Sequence, residues 1–165
     1  MNQAATPSAV GLEVPDFSLP ASGGGAFELH AHRGQSVLLF FYPRDNTPGC
    51  STEAADFRDL HDAFAAIGVR IFGVSRDTLA SHEKFSSKLN LPYPLLSDRD
   101  ERVCRLFDVI RRKKLYGKLV LGVERSTFLI DADGRLAREW RGVKASGHAA
   151  AVLAELGGAT GGQTP

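Results

Sequence analysis

The chain of 165 residues carries 20 Lys and Arg against 19 Asp and Glu, so its formal net charge is +1. That balance produces no global field to draw the protein to nucleic acid or to a membrane surface. A hydrophobic content of 43% in a chain of this length is sufficient for one core and too little for two. We therefore expect a single domain whose partner is small or neutral.

Targeting and metal-binding signals are also missing from the sequence. The first residues, MNQAATPSAV, lack the basic and apolar segments of a signal peptide, and no run approaches the ~18 apolar residues of a membrane span. We expect a cytoplasmic protein. Cys50 and Cys104 show neither disulfide-framework nor metal-site spacing, and the five histidines are scattered. We expect no metal and no bound cofactor.

The predicted elements begin after a short tail. Residues 1–10 and 157–165 are rich in small and polar residues without periodicity, which predicts flexible tails around a domain spanning 11–156. The segments PDFSLP and GGGAFELH, joined by a glycine turn, predict an N-terminal β-hairpin. The continuous apolar run VLLFFY, 37–42, predicts a buried central strand.

Helices and strands then alternate along the chain. Apolar residues at spacings of three and four predict an amphipathic helix over 51–67. The remaining predicted elements are, in order, a strand over 69–75, a helix over 78–89, an extended piece over 91–97, a helical turn over 102–107, a strand over 126–130, a turn over 131–134, a strand over 136–140 and a helix over 148–156. This order predicts an α/β protein with a central mixed sheet covered by helices on both faces.

One cysteine occupies a position that favours reactivity. Thr47 followed by Pro48 is a typical helix start, which places Cys50 in the first turn. There, free backbone N–H groups and the positive end of the helix dipole favour a thiolate over a thiol. A lone cysteine is more commonly a buried packing residue. The flanking Pro, Arg, Asp, Asn, Thr and Gly residues instead describe a polar loop at the end of a central strand.

The stretch FYPRDNTPGCSTEAADFRDL resembles the peroxidatic motif of the peroxiredoxins, and specifically that of the bacterioferritin comigratory protein subfamily, also called peroxiredoxin Q. The pattern Pro-x-x-x-Thr-x-x-Cys is present as Pro43, Thr47 and Cys50, with Arg125 opening the downstream RSTFLID. The similarity covers residues 11–156, including VPDFSLP, GVSRDTLASHEKFSSKLNLPYPLLSD and RSTFLIDADG. It implies a thioredoxin-like fold and a thiol peroxidase that reduces hydrogen peroxide and organic hydroperoxides.

The resemblance also implies a role for each motif residue. Cys50 is the nucleophile that becomes a sulfenic acid, and Arg125 stabilises its thiolate and hydrogen-bonds the peroxide. The Thr47 hydroxyl passes a hydrogen bond between sulfur and substrate, and the amides of Gly49 and Cys50 complete the donor set. Pro43 shields the sulfur from bulk water, which limits overoxidation.

Glu53 stands about one helical turn after Cys50, and two interpretations of it remain open. It holds Arg125 in position through a paired charge, or it is a solvated carboxylate near a helix start.

The recycling of the sulfenic acid departs from the family pattern. Many members carry a resolving cysteine five positions after the peroxidatic one or on the following helix, where this chain has Ala55 and Ser86. Cys104 lies in VCRLF, an apolar cluster typical of a packing residue. We expect a one-cysteine enzyme, reduced by thioredoxin, glutaredoxin or a small thiol such as glutathione, with Cys104 as the alternative resolver. The resemblance implies a monomer or weak homodimer.

Two other functions fit the predicted fold less well. A thioredoxin-like disulfide oxidoreductase needs a second sulfur near Cys50, and CSTE supplies none. A chaperone needs an apolar stripe or charged platform, which the sequence does not indicate. We interpret the basic run RRKK, 111–114, as a solvated loop, because it lacks the interleaved aromatic residues of a nucleic-acid contact.

Overall fold

The structure is a computed structural model that describes residues 8–157. Its elements are, in chain order, β1 (Ser18–Pro20), β2 (Ala26–Glu28), a 3-10 turn (Leu29–His32), β3 (Ser36–Phe41), α1 (Pro48–Asp59), α2 (His61–Ala66), β4 (Val69–Ser75), α3 (Leu79–Leu89), β5 (Leu95–Ser97), α4 (Arg102–Leu106), β6 (Ile110–Leu115), β7 (Lys118–Val123), β8 (Ser126–Ile130), β9 (Leu136–Trp140) and α5 (His148–Glu155).

Five of these strands form a mixed sheet in the order β5-β4-β3-β8-β9. Strand β3 is central, parallel to β4 and antiparallel to β8. Its apolar residues are buried on both faces, as the continuous run VLLFFY predicted. The α/β class, the mixed sheet and the N-terminal β1–β2 hairpin are all confirmed.

The pleat of β3 divides the interior into two clusters. Leu38 and Phe40 point to one face, which is covered by α1, α2, α3 and α5. Leu39 and Phe41 point to the other, which is covered by α4 and the β1–β2 hairpin. Because successive strand side chains alternate between faces, the two clusters lie on opposite sides of the sheet.

Most of the predicted strand and helix bounds match the structure closely. Strands 69–75, 126–130 and 136–140 are confirmed at both ends. The single helix predicted over 51–67 is wrong, because the chain leaves helical geometry at Leu60 and forms α1 and α2. The sequence has no glycine or proline at this break, and its apolar residues keep their helical spacing across it. The sequence therefore did not reveal the break.

The predicted tails fall mostly outside the described residues. Ser8, however, is buried, and its amide donates to the Leu106 carbonyl at 2.8 Å. The ordered body therefore includes a residue that we expected in the N-terminal tail. Of the predicted C-terminal tail, only Gly157 is described.

The basic run 111–114, interpreted above as a loop, is a strand, and that interpretation is wrong. Strands β6 and β7 form a separate antiparallel hairpin outside the main sheet. At its base, the Glu124 amide donates to the Val109 carbonyl at 2.7 Å.

The direction of the strands determines where a site can form. The carboxyl ends of the parallel strands β3 and β4 and the amino end of the antiparallel strand β8 meet at one edge of the sheet. The loop before α1, the loop before α3 and Arg125 therefore come together at this edge. Within residues 8–157, no helix has the length and apolar character needed to cross a membrane.

Candidate active site

The site begins at the amino end of α1, where Thr47 is the N-cap and Pro48 the first helical residue. The first backbone bond of the helix is donated by Ser51 to the Thr47 carbonyl, at 2.8 Å. Among the described residues, the amides of Gly49 and Cys50 have no acceptor. Cys50 therefore lies where free N–H groups and the helix dipole favour an anion, as predicted.

Arg125 links the sulfur of Cys50 to the carboxylate of Glu53. Its Nη2 lies 3.6 Å from Cys50 Sγ, and its Nη1 donates to Glu53 Oε1 at 2.7 Å. Cys50 is 2% exposed and the Arg125 side chain 16% exposed, so both are largely shielded from water. The planar guanidinium with its fork of donors is suited to hold two acceptors at once.

Glu53 is fully buried, so the interpretation of it as a solvated carboxylate is wrong. Burial raises the pKa of Glu53 to about 7, against the opposing effect of Arg125. Its second oxygen, Oε2, has no hydrogen-bond partner among the described residues. In the described part of the chain, Arg125 is therefore the one cation that stabilises an ionised carboxylate at this position.

This burial predicts a pH dependence of stability. The ordinary glutamate pKa is 4.5 and that of folded Glu53 is about 7, so the folded state binds the proton more tightly. The resulting stabilisation is complete below the unfolded value and is lost as the pH rises through 7. We expect the unfolding free energy of the Cys50→Ser protein to fall by about 3 kcal/mol more between pH 4.5 and 8 than that of Cys50→Ser/Glu53→Gln.

Denaturant titrations at both pH values measure this difference. The Cys50→Ser background removes any contribution from ionisation of the sulfur. Asp62→Asn, which alters a fully exposed carboxylate, is the matched control and should leave the pH profile unchanged. Parallel profiles with and without Glu53 would contradict the assignment.

The loop between β3 and α1 positions the other motif residues. Pro43 follows the central strand and is half-buried. The Thr47 hydroxyl donates to the Arg44 carbonyl at 3.0 Å and caps no helix amide. The N-cap position is therefore as predicted, while the side-chain capping bond is not made.

Gly49 allows the guanidinium to approach the helix. A Cβ atom at this position would lie 3.2 Å from Arg125 Nη2, which is a tight contact. The absence of a side chain thus leaves space for Arg125 beside the sulfur.

Comparison with known proteins agrees with this geometry. Residues 10–139 match the model of the AhpC/TSA family. Peroxiredoxin Bcp of Xanthomonas campestris is 50% identical over 149 residues, which cover 88% of this chain and 93% of that protein. Peroxiredoxin Bcp of Bacillus subtilis is 47% identical over 147 residues, covering 89% and 94%. The chain belongs to the AhpC/TSA family.

Solved structures place it within one subfamily of these peroxiredoxins. The bacterioferritin comigratory protein of X. campestris, studied for alkyl peroxide reduction, superposes with a TM-score of 0.84 at 49% identity, covering 90% of this chain and 98% of that one. Peroxiredoxin Q of Xylella fastidiosa gives a TM-score of 0.87 at 40% identity, covering 93% and 98%. The subfamily inferred from the motif is confirmed.

In this peroxiredoxin, Cys104 does not lie beside Cys50. Both cysteines are free and buried, and they belong to the clusters on opposite faces of the sheet. Burial, together with the nearby Asp98 carboxylate, raises the pKa of the Cys104 thiol far above its usual range. Cys104 is therefore a poor nucleophile as well as a distant one.

A buried polar network that the sequence did not indicate holds the loop between β3 and α1 in place. Asp45 accepts from the Tyr42 hydroxyl at 2.6 Å and from Ser81 at 2.8 Å, and it contacts His82 Nδ1 at 2.8 Å. The Asp45 amide donates to Asp77 at 2.9 Å. Asp45, Asp77 and His82 are near enough to hold a metal ion, but these hydrogen bonds already occupy their ligand atoms. The network fixes the loop to α3 and β4.

His148 is a second neighbour of the site that sequence reasoning missed. Its Nε2 lies 2.8 Å from Thr127 Oγ1, and its ring packs edge-on against Phe57. Burial and the charge of Arg125 lower the pKa of His148 to about 4, so the ring is neutral at physiological pH. Arg125 is thus the cation that faces both Cys50 and Glu53.

Proposed function

We propose that Cys50 is the peroxidatic cysteine of a thiol peroxidase that reduces hydrogen peroxide and organic hydroperoxides. The observation that carries this proposal is the Arg125 guanidinium, which joins Cys50 Sγ and Glu53 at the amino end of α1. The reported alkyl peroxide reduction by the X. campestris relative supports the same substrate class.

The chemistry follows from the geometry. The Cys50 thiolate attacks one peroxide oxygen, the O–O bond breaks, and the departing oxygen takes a proton to leave as water or an alcohol. Arg125 and the free amides of Gly49 and Cys50 are placed to stabilise the charge on that oxygen. Pro43 and the supporting loop limit the access of water to the sulfenic acid.

An external thiol then regenerates the enzyme. It attacks the sulfenic acid sulfur with loss of water and forms a mixed disulfide with Cys50. A second thiol then attacks the donor sulfur of that disulfide, which releases the Cys50 thiolate and the oxidised donor disulfide. Ala55 and Ser86 carry no sulfur, and Cys104 lies across the sheet, which supports one-cysteine chemistry. We propose thioredoxin, glutaredoxin or glutathione as the donor, a cytoplasmic location, and a monomer or weak homodimer.

Intact-mass analysis after one equivalent of hydrogen peroxide tests this scheme. We expect a species heavier by one oxygen that a sulfenic-acid trap captures equally in wild type and in Cys104→Ser. A loss of two hydrogens with a linked peptide joining Cys50 and Cys104 would overturn one-cysteine chemistry. An unmodified Cys50 would overturn the proposed function.

Replacement of Thr47 by valine separates its two roles. The hydroxyl contacts a loop carbonyl in the free enzyme, so its catalytic contribution depends on bound substrate. We expect Thr47→Val to lower the peroxide rate by about tenfold or more and the thiolate fraction by much less. Stopped-flow oxidation and thiolate absorbance measure the two effects, and equal losses would indicate a purely structural role.

A further inference from the structure

The β6–β7 hairpin has a surface that the proposed peroxidase chemistry does not use. Within residues 8–157 its strands pair only with each other, and a two-residue turn of Tyr116 and Gly117 joins them. Both turn residues have positive φ, 53° and 79°, the geometry that suits a tight hairpin. Strand β7 ends at Val123, two residues before Arg125, so the hairpin extends from the edge of the sheet that carries the active site.

Apolar side chains are concentrated on this hairpin. Exposed large hydrophobic residues occur on it at five positions, namely Leu115, Tyr116, Leu119, Val120 and Leu121. Tyr116, at the tip, is 96% exposed. None of the five belongs to either core cluster, so burial within the described fold does not explain them.

The same hairpin concentrates positive charge. It carries Arg111, Arg112, Lys113, Lys114 and Lys118 and no acidic residue, which leaves the rest of the chain with an acidic excess. Arg111 is paired at the base with Asp108 and Glu124. The other four have no carboxylate within 4 Å among the described residues. A net charge of +1 thus conceals a local cationic surface.

From Arg112 to the turn, each pair of opposed residues joins a cationic side chain to an apolar one. Directly opposed residues share a face, so Arg112 lies beside Leu121 and Lys114 beside Leu119. Arg112 and Leu121 also line a groove of about 960 Å³, which continues onto the body of the protein at Phe17, Leu106 and Arg105. Apolar and cationic groups therefore form one surface across the hairpin and the groove.

We propose that this surface binds the headgroup region of an anionic lipid bilayer. Apolar side chains at a hairpin tip can enter the acyl-chain boundary, while the flanking lysines extend their ammonium groups to the anionic headgroups. Tyrosine is enriched at that boundary. Lysine is depleted at protein interfaces, and aliphatic side chains do not stack on bases, so protein and nucleic acid fit this surface less well.

Docking in this way would bring the active site close to the bilayer. The chain runs from the end of β7 at Val123 through Glu124 to Arg125, so the base of the hairpin lies next to the active site. We therefore expect hydroperoxides of membrane lipids to be among the substrates. Membrane binding itself is independent of the proposed peroxidase function, whereas reduction of bilayer hydroperoxides rests on it.

Vesicle sedimentation with the full chain tests the binding. We expect the protein to sediment with phosphatidylcholine vesicles that contain phosphatidylglycerol, to remain in solution with phosphatidylcholine alone, and to be released by salt. Lys113→Glu/Lys114→Glu should lower the bound fraction by at least about tenfold. Lys84→Glu/Arg99→Glu makes the same charge change on other exposed positions and should bind like wild type.

The apolar contribution has its own matched pair. Leu115 is 54% exposed on the hairpin and Leu12 is 55% exposed on the body. We expect Leu115→Ser to weaken sedimentation several-fold, Leu12→Ser to have no effect, and both to reduce hydrogen peroxide in buffer at the wild-type rate. Only Leu115→Ser and the hairpin charge reversal should slow reduction of phospholipid hydroperoxide in anionic vesicles.

Several results would overturn the proposal. These are the absence of sedimentation, equal sedimentation with both vesicle types, and hairpin variants that sediment like wild type. A wild-type dimer that Leu115→Ser converts to a monomer would instead identify the hairpin as an interface between copies. If vesicles bind but no peroxide of any kind is consumed, the proposed peroxidase function fails and membrane binding stands.

Discussion

Cys50→Ser is expected to reduce peroxide consumption to the level of a buffer blank, a loss of more than about a thousandfold. A serine hydroxyl in the first turn of α1 is not ionised near neutral pH and is a poor nucleophile toward oxygen. The substitution replaces a buried sulfur by a smaller oxygen, so the fold should persist. Peroxide consumption with a thiol donor measures the loss, and circular dichroism verifies the fold.

Cys104→Ser provides the matched control for this loss. Cys104 is also buried and free, but it lies in the cluster on the other face of the sheet. We expect Cys104→Ser to retain peroxide consumption within about twofold, whatever its effect on stability. Near wild-type turnover in Cys50→Ser would refute the assignment of the nucleophile.

The sequence was most informative where one local signal determines one local structure. Thr47 and Pro48 predicted the start of α1 and thus the position of Cys50, because cap and first-turn preferences act within a few residues. Strands 69–75 and 126–130 were predicted to the residue, because short apolar runs rich in β-branched and aromatic residues favour a strand over a helix. These features need no knowledge of tertiary contacts.

Contacts between distant segments were not predictable in the same way. Glu53 and Arg125 are 72 positions apart, so their pairing, which the sequence offered only as one of two interpretations, requires β8 to lie beside β3. The link between Asp45 and His82 likewise depends on how α3 packs against the loop before α1. A carboxylate or histidine in a sequence does not reveal whether it will be buried.

The β6–β7 hairpin shows a different limitation. Strand β6 contains a block of four cationic residues, and β7 is a short aliphatic stretch interrupted by Gly122, so neither has the apolar–polar alternation that marks a half-buried strand. The Tyr116–Gly117 turn is not among the commonest hairpin dipeptides. The two strands form because their backbones hydrogen-bond to each other, and the charged sequence gives no local signal of this pairing.

Arg125→Ala is expected to slow oxidation of Cys50 by about a hundredfold to a thousandfold, which is typical of the loss of one donor to a developing oxyanion. The thiolate fraction at neutral pH should fall as well, because the guanidinium 3.6 Å from Sγ is removed. Arg125→Lys keeps the positive charge but cannot bond both acceptors at once, so its oxidation rate should lie between that of wild type and that of Arg125→Ala. Stopped-flow oxidation and thiolate absorbance measure these effects.

Arg125→Ala should also destabilise the fold, because Glu53 is left buried without its cation. We expect a cost of about 3 kcal/mol or more at alkaline pH and less at acid pH, where the carboxyl is neutral. Adding Glu53→Gln to Arg125→Ala removes the unpaired charge, so it should restore stability without restoring the peroxide rate. If Glu53→Gln restored both, Arg125 would act only by holding the fold, and its catalytic role would be refuted.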